Sequence, residues 1–161
     1  MELSVLVGFA AIASGLSGIL MSLSSRRGAV FEAIREYYQQ GDTSEMIAAR
    51  RKIYSIEEKE TVTYLENSRE WTEEQSLAAA ELCSFFHFWG MMVRKGYLPL
   101  WIFKSASGPS IVRLHYLLND FIKQRRIENN TYYAQDFEYL AEQIKRKYKI
   151  YYPIRRRGRK R

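Results

Sequence analysis

Apolar positions along this chain recur three and four residues apart, which is the period of an amphipathic α-helix. The first helix predicted in this way ends at Gly41, and the second begins at an N-cap among residues 42–44. Ser55 and Glu58 form a capping box that predicts a further, polar helix as far as about Glu66.

The most hydrophobic helix outside the N-terminal region is predicted to run from Glu73 to about Lys95. Thr72 and Gln75 form a capping box at its start, and Gly96 stops it. We expect this helix at the centre of the bundle or against a partner subunit, because its apolar residues cover more than one stripe. These residues are Leu82, Phe85, Phe86, Phe88, Trp89, Met92 and Val93.

Two more helices complete the pattern. Pro109 stands at the predicted first position of one, and Asn129 and Asn130 end it. Thr131 is the predicted cap of the last, in which Phe137, Leu140, Ile144 and Tyr148 line one face. No segment alternates apolar and polar residues over a useful length. The predicted class is all-α, with an N-terminal transmembrane helix followed by a bundle of about five helices.

The transmembrane helix is predicted from the run Leu3 to Leu23, which has 21 residues and no charged side chain. A helix of that length covers roughly 30 Å, the thickness of a bilayer core. A signal peptide has basic residues before its apolar run. Here no basic side chain precedes the run, and Arg26 and Arg27 follow it. We predict an anchor over residues 1–24 with the following domain in the cytoplasm. A cleaved signal and a buried core helix are the alternatives.

Small residues recur within this run at intervals of four. Such a pattern lets membrane helices approach one another closely. It predicts a self-association face made of Ala11, Ser14, Gly15, Gly18 and Ser22.

The positive charge of the chain is concentrated at its C-terminus. The formal net charge is +7, yet residues 24–144 hold 15 basic and 17 acidic side chains. Residues 145–161 hold ten basic side chains and no acidic one. We predict a helical domain over residues 25–150 and a basic tail over 151–161. The tail is interpreted as a solvated end, a contact for anionic lipid headgroups or a contact for nucleic acid. Its cations are Arg155, Arg156, Arg157, Arg159, Lys160 and Arg161.

Residues suited to catalysis are sparse. The single Cys excludes an intramolecular disulfide, and one Cys with two His is too few ligands for an ordinary structural zinc site. Cys83 and His87 share a helical face, the spacing at which a thiol can meet a base, but packing explains both. A phosphate-binding loop motif is absent. We predict no catalytic site, no metal and no cofactor.

Arginines beside apolar helical stretches form a separate group of candidates. A guanidinium that faces a protein interior needs a carboxylate partner, because an unpaired buried charge is costly. The predicted interpretation is an ion-pair network that fixes the order of the helices, and the alternative is a phosphate or nucleotide pocket. The candidates are Arg50 and Arg125, with Glu81 and Glu138 as their expected partners.

Several stretches resemble an uncharacterised bacterial family of small proteins, a domain of unknown function. The similarity covers about Tyr37 to Tyr148. The resemblance implies one N-terminal membrane helix and a helical cytoplasmic domain, with stress or phage defence as candidate roles. It rests on AARRKIY with Arg50, RKG at 94–96, the pair Arg125 and Arg126, and FEYLA with Glu138.

These patterns together predict a single-pass protein of the bacterial inner membrane that acts by binding and self-association. Its expected partners are the membrane, further copies of itself and anionic lipid headgroups, with nucleic acid or nucleotide less favoured. One alternative is a phage-defence or signalling effector whose bundle senses a nucleotide or a phage component. The other is a basic RNA-binding protein with the first 23 residues in its core.

Overall fold

The structure, a computed structural model, describes residues 27–59, 70–104, 107–128 and 131–150 of the 161-residue chain. The predicted anchor (residues 1–24) and the basic tail (residues 151–161) lie outside these ranges, as do all residues of the predicted self-association face. The second part of the polar helix predicted as far as Glu66 also lies outside them.

Every regular element in the described ranges is helical, which confirms the all-α class. The elements are α1 (residues 27–41), α2 (Ser44–Lys59), α3 (Glu73–Arg94), a 3-10 helix (Leu100–Phe103), α4 (Ser107–Glu128) and α5 (Gln135–Tyr148). The chain divides into two compact units, residues 1–38 and residues 39–161. The second unit contains the helix contacts and sites that follow.

Side-chain caps begin two of the helices where the sequence predicts them. The backbone N–H of Gln75 donates to Thr72 Oγ1 at 3.2 Å, and the N–H of Thr72 donates to Gln75 Oε1 at 3.1 Å. Thr43 caps α2, because its hydroxyl oxygen accepts from the N–H of Met46 at 3.3 Å. The capping box of α3 is therefore confirmed, and the N-cap predicted among residues 42–44 is Thr43.

Gly96 ends α3 as predicted. Its φ of 76° is a left-handed conformation that glycine adopts without steric cost. The N–H of Gly96 donates to the carbonyl of Val93, and the N–H of Tyr97 donates to that of Met92. These two bonds form a Schellman motif, which satisfies carbonyls that the helix end leaves free.

Three local predictions at helix starts are wrong. Ser55 does not begin a helix, because α2 continues through it and its hydroxyl donates to the carbonyl of Lys52 at 2.8 Å. Pro109 is the third residue of α4, not the first. The N-cap of α5 is Ala134 with a φ of 54°, whereas Thr131 is exposed in the preceding turn. Contacts of α5 with α3 fix this start in place of a side-chain cap.

The centre of the bundle is α3, which packs against α2 and most extensively against α5. Phe86 of α3 stacks on Phe137 of α5 with ring centroids 5.0 Å apart. The two helices approach most closely at Gly90, where an added Cβ would overlap the backbone carbonyl of Asp136. The largest fully buried side chains include Trp89, Phe86, Phe103, Phe137, Ile53 and Leu82.

By length and composition, α3 is the described helix that is able to cross a membrane. The central helix of a bundle has the same length and hydrophobicity, so this property alone assigns no location. The buried residues of α3 are Ala78, Ala79, Leu82, Cys83, Phe86, Trp89 and Gly90.

Helix α4 runs antiparallel to α5. At one end, Arg126 of α4 pairs with Glu138 in the first turn of α5. At the other end, Gly108 of α4 lies beside Ile144 in the second half of α5 and beside Ile150, which follows α5. The carbonyl of Phe103 also contacts Gly108. The 3-10 helix, the start of α4 and the C-terminal end of α5 therefore lie at the same end of the bundle.

Candidate functional site: the charged network around helix α5

Asp136 is the charged side chain that the described part of the chain buries most completely, with 4% exposed. Arg94 at the end of α3 places its Nε 2.8 Å from Asp136 Oδ1. The direction of that N–H is not that of a hydrogen bond, so Oδ1 is held by charge alone. A buried carboxylate needs such a partner because its desolvation is costly.

His87, two turns before Arg94 in α3, holds the same residue. Its Nδ1 accepts from the backbone N–H of Asp136 at 3.2 Å, which satisfies a free donor at the start of α5. In the neutral ring the proton therefore sits on Nε2, which lies 3.8 Å from Asp136 Oδ2. His87 and Arg94 together fix the start of α5 against α3.

Glu138 lies two residues after Asp136 in the first turn of α5, and its partner is Arg126. Arg126 Nη2 lies 2.8 Å from Glu138 Oε2, and Arg126 Nε donates to the carbonyl of Tyr133 at 2.9 Å. The predicted pair of Arg125 with Glu138 is therefore wrong. Successive residues of an α-helix point about 100° apart, so α4 directs only one of the two arginines at α5.

Arg125 points to the other side of α4. Its Nη1 lies 3.7 Å from Glu128 Oε2, and its guanidinium lies over the ring of Phe121 at 5.2 Å. It lines an open groove of about 510 Å³ between the start of α3 and the end of α4. The groove residues are Glu70, Trp71, Ser76, Phe121, Gln124, Arg125 and Glu128.

Arg50 is half-buried and serves the end of α1. Its Nη2 donates to the carbonyl of Gly41 and lies 3.5 Å from Asp42 Oδ1. The guanidinium thus satisfies a carbonyl that the helix leaves free. Glu81, one of its expected partners, is exposed on α3. That pairing is wrong, because a helix end supplies the acceptor and a nearer carboxylate supplies the charge.

The remaining titratable side chains of the interior are in packing positions. Burial raises the pKa of the Cys83 thiol to about 12, and its contact with Tyr133 and the charge of Arg126 only partly oppose this. Burial and the neighbouring thiol raise the pKa of Tyr133. His115 packs edge-on against Phe137 with ring centroids 5.3 Å apart, and burial lowers its pKa against the charges of Glu138 and Glu142. The thiol is therefore uncharged at neutral pH and is no nucleophile.

Within the ranges that the structure describes, no three His, Cys, Asp or Glu side chains are close enough to share a metal ion. The charged network acts chemically as a set of ion pairs that join α3, α4 and α5. The groove beside Arg125 is one concave surface of the described residues that is large enough for a small ligand.

Sequence patterns missed Asp136, although a signal was present. Asp136 stands four residues before Leu140 and eight before Ile144, so it continues the buried stripe of α5. A carboxylate on an apolar stripe indicates a buried partner. Arg94 stands beside the helix stop at Gly96, where a basic residue is common whether or not it has a buried partner.

The comparison with protein families matches the chain over residues 4–144 to DUF4760, a domain of unknown function. The searches of the curated proteins and of the solved structures found no match. The matched residues include α2, α3, α4 and the charged network around α5. The chain therefore belongs to the DUF4760 family, a family whose domain has no known function.

Proposed function

We propose that the protein is a single-pass protein of the bacterial inner membrane whose cytoplasmic helical domain acts by binding and self-association. The observation that carries this proposal is the run Leu3 to Leu23, which has 21 residues without a charge and is followed by Arg26 and Arg27. A helix needs about 20 apolar residues to span a bilayer. Basic residues after the span favour a cytoplasmic domain.

The described residues support a role without bond chemistry. The one thiol, Cys83, is buried with a raised pKa. His87 Nδ1 accepts a hydrogen bond from the backbone N–H of Asp136, and the Asp136 carboxylate forms an ion pair with Arg94. These three side chains, which belong to the types that serve as nucleophile, base or acid in enzymes, thus make structural contacts in the bundle.

Carbonate extraction of membranes tests the anchor. We expect the full-length chain to stay in the membrane pellet and a variant that lacks residues 1–24 to be released. Recovery of the full-length chain in the soluble fraction would contradict the anchor. It would favour the basic RNA-binding alternative, in which the N-terminal run belongs to the core.

Self-association is tested by substitution within the run. Gly15→Leu with Gly18→Leu should weaken the signal of a membrane two-hybrid assay, because bulky residues keep the helices apart. Leu16→Ile with Leu20→Ile is the matched control on the opposite side of the helix and should leave the signal unchanged. An equal signal from both variants would remove the small-residue face but not the span.

The groove beside Arg125 favours a second candidate function, that of an effector that senses a nucleotide or a phage component. Trp71 and Arg125 offer planar surfaces, whereas Phe121 is buried. The Gln124 amide donates one N–H to Glu128 at 2.8 Å and has a second N–H for the edge of a base. Glu70 and Glu128 also line the groove, so its formal charge is negative. This charge disfavours phosphates unless a ligand displaces Glu128 from Arg125.

Thermal shift with nucleosides and nucleoside triphosphates tests this candidate. A ligand of the groove should raise the melting temperature of the full-length protein, and Arg125→Ala should abolish the rise. Lys123→Ala, an exposed change on the same helix, should preserve it. Equal responses from the two variants would place any nucleotide site outside the groove.

A further inference from the structure

Cations concentrate at the end of the bundle where the 3-10 helix, the start of α4 and the end of α5 meet. We call this region the basic end. Its position follows from Gly108, around which Phe103, Ile144 and Ile150 converge. The described cations of these elements are Lys104, which follows the 3-10 helix, and Lys145, Arg146, Lys147 and Lys149 at the end of α5.

Acidic residues hardly oppose these cations. The chain has no Asp or Glu between Glu81 and Asp120, and it has none after Glu142. Glu142 contacts Lys145 at 2.7 Å. The described cations of the basic end therefore outnumber the acidic residues of the same elements.

Two large aromatic side chains stand exposed in the segment that leads from the end of α3 through the 3-10 helix. Tyr97 is 66% exposed, and Trp101, the second residue of the 3-10 helix, is 58% exposed. The Schellman motif after α3 holds Tyr97 in place through its backbone N–H. Lys95 and Lys104 flank the pair in sequence, and both are exposed.

Exposed Trp and Tyr beside Lys form a pattern with a specific physical preference. Their rings are amphipathic and settle at the level of lipid headgroups, where the apolar part is buried and the polar tip stays hydrated. Lysine stems bury their methylene groups while the ammonium groups reach the phosphates. A surface of anionic lipids attracts each nearby cation, and salt weakens this attraction.

We propose that the basic end docks on an anionic phospholipid surface, with Tyr97 and Trp101 at the headgroup level. The ammonium groups of Lys95 and Lys104 contact lipid phosphates, and the cations at the end of α5 add charge. The docking rests on the proposed function in that the anchor keeps the domain within reach of a bilayer. It concerns different residues from the anchor and is separable from it by experiment.

Fluorescence quenching by lipid tests the docking. Full-length protein is added from dilute detergent to vesicles of brominated phosphatidylcholine, with or without phosphatidylglycerol. Bromine quenches tryptophans that enter the bilayer. The chain has three tryptophans, so the contribution of Trp101 is the difference between the wild type and Trp101→Phe. We expect Trp101 to lose most of its fluorescence in the anionic vesicles and to recover it at high salt.

Charge variants make the test specific. Lys95→Gln with Lys104→Gln should remove most of the Trp101 quenching. Arg51→Gln with Lys123→Gln removes two exposed cations elsewhere and should not. Equal melting temperatures of the two double variants exclude misfolding as the cause. The proposal would be overturned if Trp101 fluorescence is not quenched in anionic vesicles. It would also be overturned if the quenching is the same at high salt and in both double variants.

Two further outcomes separate the docking from the anchor and from RNA. If carbonate extracts the protein but Trp101 is quenched, the anchor is refuted and the docking is supported. If the protein resists carbonate but Trp101 is not quenched, the anchor is supported and the docking is refuted. If an RNA oligonucleotide changes the emission of Trp101 and anionic vesicles do not, the surface binds nucleic acid and the lipid proposal is wrong.

Discussion

At the scale of single residues, Arg94 and Asp136 form an ion pair whose two side chains differ in burial. The Asp136 side chain is 5% exposed, and the Arg94 side chain is 39% exposed. Arg94→Ala leaves a buried carboxylate without its counter-ion, and we expect a loss of about 3 to 5 kcal/mol in the free energy of unfolding. Asp136→Asn leaves an arginine that can turn to water, and we expect a loss of about 1 kcal/mol. Urea unfolding of the purified protein measures both. Equal losses of unfolding free energy in the two variants would contradict the burial of the Asp136 carboxylate.

Cys83 gives a second prediction at this scale. Its pKa is raised from 9.0 to about 12, so the thiolate fraction at a given pH is roughly a thousandfold smaller. Iodoacetamide at about pH 8 should therefore label the folded protein very slowly and the urea-unfolded protein readily. The control is Cys83→Ala with Ser84→Cys, which moves the thiol to an exposed neighbour in α3. Fast labelling of folded wild-type protein would contradict the buried position of Cys83.

The identity of the network residues shows where sequence patterns stop. Of the residues predicted for an ion-pair network, Glu138 lies in the ion pair that joins α4 to α5, whereas Arg125 does not. The pattern could not choose between Arg125 and Arg126, because each stands four residues after a buried position, Phe121 or Ile122. The rotation of α4 about its axis decides which arginine meets α5, and only the packing of all the helices fixes that rotation.

At the scale of elements, the close contact of α3 with α5 depends on Gly90. An added Cβ there would overlap backbone atoms of Asp136, which cannot move without displacing α5. We expect Gly90→Ala to cost about 3 kcal/mol of stability. Gly28→Ala is the control, because no atom lies within 4 Å of its added Cβ and alanine favours the helix. Melting temperatures of the two variants measure the difference, and a neutral Gly90→Ala would mean that the helices are further apart.

The link between α4 and α5 is tested by Arg126 and Glu138, whose side chains are 26% and 45% exposed. Because solvent screens this pair, we expect a coupling energy of about 1 kcal/mol between Arg126→Ala and Glu138→Ala in a double-mutant cycle. Arg126→Ala should cost more than Glu138→Ala, because it also removes the bond to the carbonyl of Tyr133.

Arg125→Ala is the matched control for this cycle. Its contact with Glu128 lies on one helix, and both side chains are 41% exposed. Its loss should change stability by about 0.5 kcal/mol or less. A cost at Arg125 that exceeds the cost at Arg126 would show that the two arginines have exchanged roles.

Helix ends were predictable where local chemistry sets them. The capping box at Thr72 and Gln75 and the stop at Gly96 depend on neighbouring residues, and α3 begins and ends where the sequence predicts. The start of α5 depends on contacts with α3, so no pattern around Thr131 could locate it. Ser55 illustrates the opposite error, because a local capping signal is present but the burial of Ile53 and Ile56 carries α2 through it.

At the scale of the whole molecule, the groove and the basic end lie at opposite ends of α4. Glu70 and Glu128 line the groove beside Arg125 at the C-terminal end of the helix, while Gly108 in its first turn lies at the basic end. A membrane that attracts the basic end would thus leave the groove beside Arg125 facing away from the lipid. The two candidate binding surfaces would then be usable at the same time.

The tail provides the last prediction, because residues 151–161 hold six of the 25 basic side chains and no acidic one. Their removal lowers the formal net charge from +7 to +1, that is 19 basic against 18 acidic residues. Repulsion between the tail and the cations of the basic end should destabilise the full chain at low ionic strength, where screening is weak. We therefore expect the truncated chain to melt slightly higher than the full chain at low salt. The two chains should melt together at high salt, because salt and truncation relieve the same repulsion. If truncation instead lowers the melting temperature at every salt concentration, the tail packs on the bundle and is part of its fold.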